Sequence, residues 1–283
     1  MKLLRVGAVG QERPAALDRV GRLVDLSGLV SEIDGAFLGG DGLAEVRAAV
    51  HGGTLPEADP TARIGAPIAR PGKIVCVGLN YSDHAAETGA KPPAEPVLFM
   101  KAPNTVVGPN DQVLIPRGSR KTDWEVELAV VIGRTARYLA SPAEAWDCVA
   151  GYTISNDVSE REFQLERGGQ WDKGKSCETF NPLGPWLVTA DEVPDPQQLG
   201  LRCSVNGILR QDGNTKNMIF GVAEIVHYVS QFMVLEPGDV INTGTPAGVA
   251  LGMPEPKPYL RGGDVIELEI DGLGRQRQPV GTA

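Results

Sequence analysis

Two acidic residues at close spacing, Glu125 and Glu127, lie in a stretch of the chain that could hold a metal ion. Apolar residues alternate along positions 121–133, which predicts a β-strand, and residues two apart in a strand share one face. Like charges this close repel by roughly 4 kcal/mol at a surface-like dielectric constant. Solvent, a basic neighbour, a shared proton or a bound cation must relieve that repulsion, and oxygen ligands suit a hard divalent ion such as Mg²⁺. The opposite, apolar face would carry Trp124, Val126, Leu128, Val130 and Ile132.

The spacing of the pair does not by itself distinguish a metal site from the solvent-exposed edge of a strand. Glu267 and Glu269 have the same spacing near the end of the chain, and we interpret these two as solvent-facing. A third carboxylate, Asp157, lies between a predicted strand at 149–154 and a predicted helix. It either completes a metal site or caps that helix.

A helix is predicted to begin at Ser159, because Ser159 and Glu162 form the pattern of a capping box, and to stop at 168–169. Residues 169–176 then satisfy the nucleotide-binding pattern G-x-x-x-x-G-K-[ST]. A phosphate-binding loop follows a strand and opens a helix, whereas here a helix precedes the pattern and two prolines follow it. Nucleotide binding is therefore disfavoured.

A histidine and a glutamate, His84 and Glu87, stand at i and i+3 of a short predicted helix that Ser82 or Asp83 can cap and Gly89 ends. A carboxylate that orients an imidazole raises its basicity, and such a pair can deprotonate water. The alternative is a surface ion pair. The chain has only three histidines, and this one follows a strand end, where loops carry chemistry.

Basic residues and one turn supply candidate contacts for an anionic substrate. Lys175 can be a positioned cation for an oxyanion or a solvated loop lysine. Lys101, at the end of a predicted strand, can face the site or the solvent, and Arg120 places positive charge just before the glutamate pair. Gly244 and Thr245 lie in a Gly-Thr-Pro turn whose N–H groups and hydroxyl suit a carboxylate, although it can also be only a tight turn.

The length and composition are ordinary for a globular protein. It has 283 residues, 42% hydrophobic and 22% charged, and a formal net charge of −9, which argues against nucleic acid or an anionic membrane as partner. No apolar run reaches ~18 residues and no signal peptide is evident. Widely spaced cysteines suit free thiols in a reducing compartment without structural zinc, so a cytoplasmic location is expected.

Two units are predicted along the chain. Residues 1–70 are expected to form a small N-terminal α/β domain, with strands at 2–6, 15–18 and 22–26 and helices at 30–38 and 42–50. A proline-rich crossing at 56–71 is the candidate linker. Residues 71–283, rich in glycine, proline and short strand patterns, are expected to form the larger, mainly β domain.

Taken in order, the chemistry-bearing segments resemble the fumarylacetoacetate hydrolase superfamily over about residues 70–270. These segments are 80–87, 123–128, 156–161, 174–176 and 242–248. The N-terminal stretch is similar to a bacterial subgroup that includes 2,4-diketo-3-deoxy-sugar-acid hydrolases acting on L-rhamnonate or L-fuconate derivatives, many of them labelled ureidoglycolate lyase. The resemblance implies an α+β, mainly β fold: a mixed β-sandwich roll around Mg²⁺ or Mn²⁺, usually in a homodimer.

The resemblance also implies roles for individual residues. They are Glu125, Glu127 and Asp157 for the metal, His84, Glu87 and Lys175 for catalysis, and Thr245, Gly244, Lys101 and Arg120 for substrate binding. Lys173 and Cys177 depart from the residues frequent beside the catalytic lysine, and they can alter substrate fit.

The implied activity is hydrolysis of a carbon–carbon bond in a small 2,4-diketo acid, giving pyruvate and a hydroxy acid such as lactate. Acylpyruvate hydrolysis, oxaloacetate decarboxylation and diketo-acid isomerisation share the same metal-enolate step and stay open. A nucleotide-binding protein and a catalytically silent metal-binding protein are the alternatives from other classes.

Overall fold

The computed structural model describes residues 1–89 and 91–283 and has a mainly β, α+β fold with mixed sheets. Its strands are β1 Lys2–Val6, β2 Arg13–Leu17, β3 Leu23–Asp25, β4 Ile74–Gly78, β5 Val97–Lys101, β6 Val106–Val107, β7 Val113–Ile115, β8 Thr122–Asp123, β9 Val126–Ile132, β10 Val149–Asn156, β11 Ser159–Glu160, β12 Asn181–Thr189, β13 Gly200–Val205, β14 Ile208–Asn214, β15 Val240–Asn242, β16 Val265–Ile270 and β17 Gly274–Thr282.

The helices are short and lie between the strands. They are α1 Gly35–Gly39, α2 Gly42–Gly52, α3 Ser82–Thr88, α4 Arg161–Leu165, α5 Asp172–Lys175 and α6 Val222–Ser230, with 3₁₀ turns at Pro103–Thr105, Pro142–Cys148, Ala190–Glu192, Thr215–Asn217 and Ala250–Gly252. Within the described residues, none of the helices combines the length and the apolar character that crossing a bilayer requires.

One large sheet organises the molecule. Its strand order is β3-β2-β1-β12-β10-β9-β15-β4-β5, with β6 paired to β12 beside this path. The sheet is mixed, because β15 runs parallel to β4 and antiparallel to β9. A second sheet has the order β14-β13-β16-β17-β7, and β8 and β11 form a separate two-stranded ribbon. Strand β9 therefore lies near the middle of the large sheet.

Strand β9 is buried on both faces. Val126, Leu128 and Val130 pack into the main core between the two sheets, as the alternation predicted. Ala129 and Val131 pack on the other side into a second apolar cluster that includes residues of α1 and α2. The face opposite the predicted apolar face is therefore not a solvent-exposed surface, because the N-terminal helices cover it.

The N-terminal 70 residues share a sheet with the rest of the chain. Strand β1 pairs antiparallel with β12, with Lys2 opposite Val188, so β1, β2 and β3 extend the large sheet. The strand predicted at 2–6 is confirmed. The helix predicted at 30–38 is shorter, because Asp34 caps it by accepting a hydrogen bond from the Phe37 N–H and fixes its start at Gly35.

The strand predicted over 121–133 is interrupted before β9. Its first part, β8, pairs with β11, which places Ser159 opposite Asp123. The predicted capping box is consequently wrong: Ser159 belongs to a strand and donates to the Asp157 carbonyl, while Glu160 is the N-cap and accepts from the Glu162 N–H. The helix ends at Leu165 and does not reach 168–169.

A glycine at the centre of the sheet should be indispensable to its packing. A Cβ on Gly151 would lie 2.1 Å from the Val188 carbonyl oxygen, and both groups are backbone within paired strands. Gly151→Ala should therefore lower the free energy of unfolding by roughly 1–3 kcal/mol or more. Urea unfolding followed by circular dichroism measures it. Gly52→Ala is the control, because no atom lies within 4 Å of its Cβ; equal midpoints for the two variants would contradict the prediction.

Candidate active site with an acidic metal centre

Three carboxylates meet at one end of the β9–β10 pair. Glu125 directly precedes β9, Glu127 lies within it, and Asp157 directly follows β10. Because β9 and β10 are antiparallel neighbours, with Ser155 opposite Glu127, these positions come together although the chain separates them. Each residue offers an oxygen within 4.8 Å of the others, and all three are at most 5% exposed. An all-oxygen donor set suits Mg²⁺ or Mn²⁺.

Two of the three carboxylates are ion-paired. Lys175 Nζ lies 2.7 Å from Glu125 Oε2 and 2.8 Å from Asp157 Oδ2. Arg161 Nη2 lies 2.7 Å from Glu125 Oε1, and Lys101 Nζ pairs with Asp157 Oδ1. Lys101, 1% exposed, is therefore directed into the protein and not toward the solvent, where it contacts Asp157 but does not line the cavity.

The third carboxylate, Glu127, forms no ion pair with any described residue; Gly244 N–H donates to its Oε2 at 2.8 Å. Burial, followed by the charges of Asp157 and Glu125, raises the pKa of Glu127 well above its usual range. Burial would also raise the pKa of Glu125, but Lys175 and then Arg161 outweigh it and lower that pKa to about 2. The cluster thus needs one more proton or cation at Glu127, and a divalent ion fits that need.

Helix α3 places His84 and Glu87, the predicted catalytic pair, beside the carboxylate cluster. His84 Nδ1 lies 3.5 Å from Glu87 Oε2, and His84 is 8% exposed. Both Glu87 oxygens also accept from the Gly248 N–H at 3.1 Å. Burial would raise the pKa of Glu87, but the hydrogen bonds from His84 and Gly248 outweigh it and lower that pKa. The carboxylate is therefore held ionised against the imidazole.

The ends of α3 agree in part with the sequence prediction. Gly89 ends the helix in a left-handed conformation, φ 68°, as predicted. Neither Ser82 nor Asp83 caps its start, because the N-cap position falls on Tyr81 and no side chain caps it; Asp83 instead accepts from the His84 N–H.

One cavity of about 200 Å³ joins the dyad to the carboxylates. His84, Glu125, Glu127, Lys175 and Thr245 all line it. The structure thus brings together most of the residues singled out in the sequence, from four separate segments of the chain.

Thr245 lines the cavity, whereas the other three predicted substrate contacts, Gly244, Lys101 and Arg120, do not. The Gly244 N–H is used by Glu127, as described above, and Lys101 is used by Asp157. Arg120 is exposed, does not line the cavity, and offers only its carbonyl, which accepts from Arg261 Nη1. Arg120 was selected because it lies just before the glutamate pair in the sequence, but it belongs to the segment between β7 and β8 and is exposed.

Sequence reasoning missed an arginine and its partners. Arg161, 3% exposed, donates to Asp123 Oδ2 at 2.9 Å, to Glu125, and to Gln164 Oε1 at 3.0 Å. Burial would lower the pKa of Arg161, but Asp123 and Glu125 outweigh it and raise that pKa further. The i, i+3 spacing of Arg161 and Gln164 on α4 was the available signal, and both line the cavity.

The segment that matches the nucleotide-binding pattern, residues 169–176, forms part of the wall of this cavity. Its lysine, Lys175, ends the four-residue helix α5 and reaches the carboxylates, while Lys173 is exposed and donates to the Arg167 carbonyl at 2.8 Å. Helix α4 and a turn precede the pattern, so the strand that a phosphate loop needs is not at that position.

Comparisons with known proteins agree on one family. Residues 73–281 match the family described as fumarylacetoacetate (FAA) hydrolase C-terminal. A Burkholderia ambifaria protein named "Putative hydrolase" is 54% identical over 283 residues, 100% of each chain. The solved fumarylacetoacetate hydrolase of Exiguobacterium antarcticum has a TM-score of 0.85 and 39% identity, covering 100% of both chains. Maleylpyruvate hydrolase from Sphingobium sp. SYK-6, solved with manganese(II) and pyruvate, has a TM-score of 0.81 and 28% identity, also covering 100% of both.

Replacing the ionisable carboxyl of Glu127 should stabilise the metal-free protein and abolish its response to metal. Glu127→Gln keeps an oxygen for the Gly244 N–H but removes an acid whose raised pKa makes the folded state take up a proton that the unfolded chain does not hold at neutral pH. In EDTA, Tm should rise by about 2–4 °C for each kcal/mol of repulsion relieved. Mn²⁺ should raise Tm of the wild type but not of the variant, as differential scanning fluorimetry can measure.

The matched control is Glu267→Gln, which alters a glutamate of the same Glu-x-Glu spacing on the exposed face of β16. It should leave both the Tm in EDTA and the Mn²⁺ response unchanged. A Glu127→Gln protein that Mn²⁺ stabilises as much as the wild type would rule out this metal centre.

Proposed function

Because the chain belongs to the fumarylacetoacetate hydrolase family, we propose that it hydrolyses the carbon–carbon bond between C3 and C4 of a 2,4-diketo acid. The observation that supports this most strongly is the cavity that His84 shares with Glu125 and Glu127, two of the three clustered carboxylates. A relative of this fold that is named maleylpyruvate hydrolase was solved with manganese(II) and pyruvate. The products would be pyruvate and a carboxylic acid.

The reaction balances with water as the only co-substrate. The water oxygen bonds to C4, the C3–C4 bond breaks, and its electron pair stays on C3. C3 then takes up a proton and becomes the methyl group of pyruvate, while C4 becomes the carboxyl carbon of the second product. The protein must therefore remove a proton from water, support negative charge on the pyruvate half, and return a proton to C3.

Glu125, Glu127 and Asp157 would hold the divalent ion. When bound, such an ion supplies positive charge against the oxygens of the pyruvate half of the substrate. The fit rests on the chemistry of the donor set: three buried oxygen ligands, one of which has no balancing cation among the described residues.

His84 would take the proton from water. Glu87, held ionised by the Gly248 N–H, would fix the orientation of the imidazole and stabilise its protonated form after the transfer. General base catalysis of this kind contributes typically about 10²–10⁴-fold to a rate.

Lys175 and Arg161 would favour an anionic substrate inside an acidic protein. Both side chains line the cavity, and both are fixed by ion pairs with Glu125, so their charges cost little reorganisation when substrate arrives. A chain with a formal net charge of −9 needs such local cations to bind a diketo acid.

The test is a coupled pyruvate assay over a panel of 2,4-diketo acids with Mn²⁺, repeated in EDTA. The panel includes the diketo acid from L-rhamnonate or L-fuconate, which the sequence resemblance implies as substrate. EDTA should abolish turnover. Absence of pyruvate from every member of the panel would favour a catalytically silent metal-binding protein.

Replacing the proposed base should separate chemistry from metal binding. His84→Gln should lower kcat by about 10²–10⁴-fold and leave the Mn²⁺-induced rise in Tm intact, because the carboxylates are untouched. His51→Gln, at an exposed histidine that lies outside the cavity and forms a hydrogen bond with the Arg47 carbonyl, is the control. Full turnover by His84→Gln would remove His84 from the mechanism.

A further inference from the structure

The 3₁₀ turn Ala250–Gly252 lies against the His84–Glu87 pair, and no proposed catalytic step assigns it a role. The turn packs on helix α3, which carries both residues of the pair. A Cβ on Gly252 would lie 2.4 Å from Glu87 Cδ and 2.6 Å from Glu87 Oε2, so the backbone of this glycine lies directly against the carboxylate. The orientation of Glu87 toward the imidazole therefore depends on where the turn lies.

The start of this segment is anchored through its N–H groups. Gly248 N–H donates to both oxygens of Glu87 at 3.1 Å. The Asp123 carboxylate accepts from the N–H groups of Ala250 and Leu251 at 2.8 and 3.0 Å. The N–H groups of the segment are thus bound by α3 and β8, while the carbonyl groups at the end of the turn need a partner from another part of the chain.

Lys257 is that partner. Its Nζ donates to the carbonyls of Leu251 and Met253, the latter at 3.0 Å. A cation stabilises the carbonyl groups that end a helical turn. Lys257 is partly buried and forms no ion pair within the part of the chain that the structure describes, so its position is set by the turn and not by a carboxylate.

The charge of Lys257 also acts on Glu87. Burial would raise the pKa of Glu87, but the hydrogen bonds from His84 and Gly248, followed by the charges of His84 and Lys257, outweigh it and lower that pKa. Lys257 thus favours the ionised carboxylate in addition to holding the turn against it. Both effects reach the reaction through Glu87.

We propose that Lys257 is a positioning residue for the His84–Glu87 pair: it locks the turn Ala250–Gly252 against Glu87 and so fixes the carboxylate that orients the imidazole. Lys257 does not line the cavity, so it acts through Glu87 and does not touch the substrate. This inference rests on the proposed function, in which His84 takes the proton from water.

Lys257→Met tests this role, because methionine keeps an unbranched apolar side chain and removes the charge and both hydrogen bonds. With Mn²⁺ and the panel member that the wild type cleaves fastest, kcat should fall by about tenfold or more, since misplacement of a catalytic group costs up to about 10²-fold. KM should stay within about twofold of the wild type, and the Mn²⁺-induced rise in Tm should not change. Lys257→Arg should recover most of the activity, because a guanidinium can donate to the same carbonyls.

The matched control is Arg261→Met. Arg261 follows Lys257 closely and also donates to two carbonyls, those of Arg120 at 3.1 Å and Leu260 at 2.8 Å, but it lies outside the cavity and does not act on Glu87. This variant should keep the kcat of the wild type.

A double-mutant cycle separates action through Glu87 from a general loss of stability. Glu87→Ala removes the group that Lys257 is proposed to position, so adding Lys257→Met to Glu87→Ala should change kcat by about twofold or less. Gly252→Ala is an independent variant, because its Cβ would displace the Glu87 carboxylate while its backbone φ is not positive. It should lower kcat about as much as Lys257→Met does, with Gly52→Ala as its control.

The outcomes separate this inference from the proposed function. A Lys257→Met protein with the kcat of the wild type would overturn the inference, even if its Tm were lower. An equal loss of kcat with and without the Glu87 side chain would also overturn it, because Lys257 would then act through another group. Both results leave the proposed function standing, whereas pyruvate from no member of the panel, at a Mn²⁺ concentration that stabilises the protein, would overturn the two together.

Discussion

The structure depends on how the negative charge of three buried carboxylates is compensated. Glu125, Glu127 and Asp157 have lost most of their hydration, which costs several kcal/mol for each charge that is not compensated. Lys175 compensates two of them at once, and without it Glu125 would keep only Arg161 and Asp157 only Lys101 as ion-pair partners. Among the three, Glu127 is the carboxylate that no ion pair with a described residue compensates. The fold thus brings together charges that a bound cation would make favourable, which is typical of a site selected for function over stability.

The surrounding elements hold this arrangement rigid. Asp123 accepts from the N–H groups of Ala250 and Leu251 as well as from Arg161, so one carboxylate ties the 3₁₀ turn over the cavity to the arginine beside the metal centre. Glu87 ties the same segment to α3 through Gly248. The N-terminal helices α1 and α2 cover the far face of β9. Functional groups supported in this way keep their geometry before substrate binds.

The sequence predicted the carboxylate cluster better than the residues around it, for physical reasons. Carboxylate type and spacing restricted Glu125 and Glu127 to one face, but Glu267 has the same local pattern and is exposed because it lies on the outward face of β16, whose other face is buried. Local pattern could not orient Lys101, since strand periodicity does not say what lies across the fold. It also misplaced the start of α4, because pairing of Ser159 with β8 is a long-range contact that overrides a local capping pattern.

The central claim is that one divalent ion binds between the three carboxylates. Anomalous diffraction from crystals soaked with Mn²⁺ measures this directly. The account predicts a single strong peak ligated by oxygens of Glu125, Glu127 and Asp157, with Lys175 displaced from at least one of its two carboxylate partners. A manganese peak elsewhere, with both Lys175 ion pairs unchanged, would contradict it.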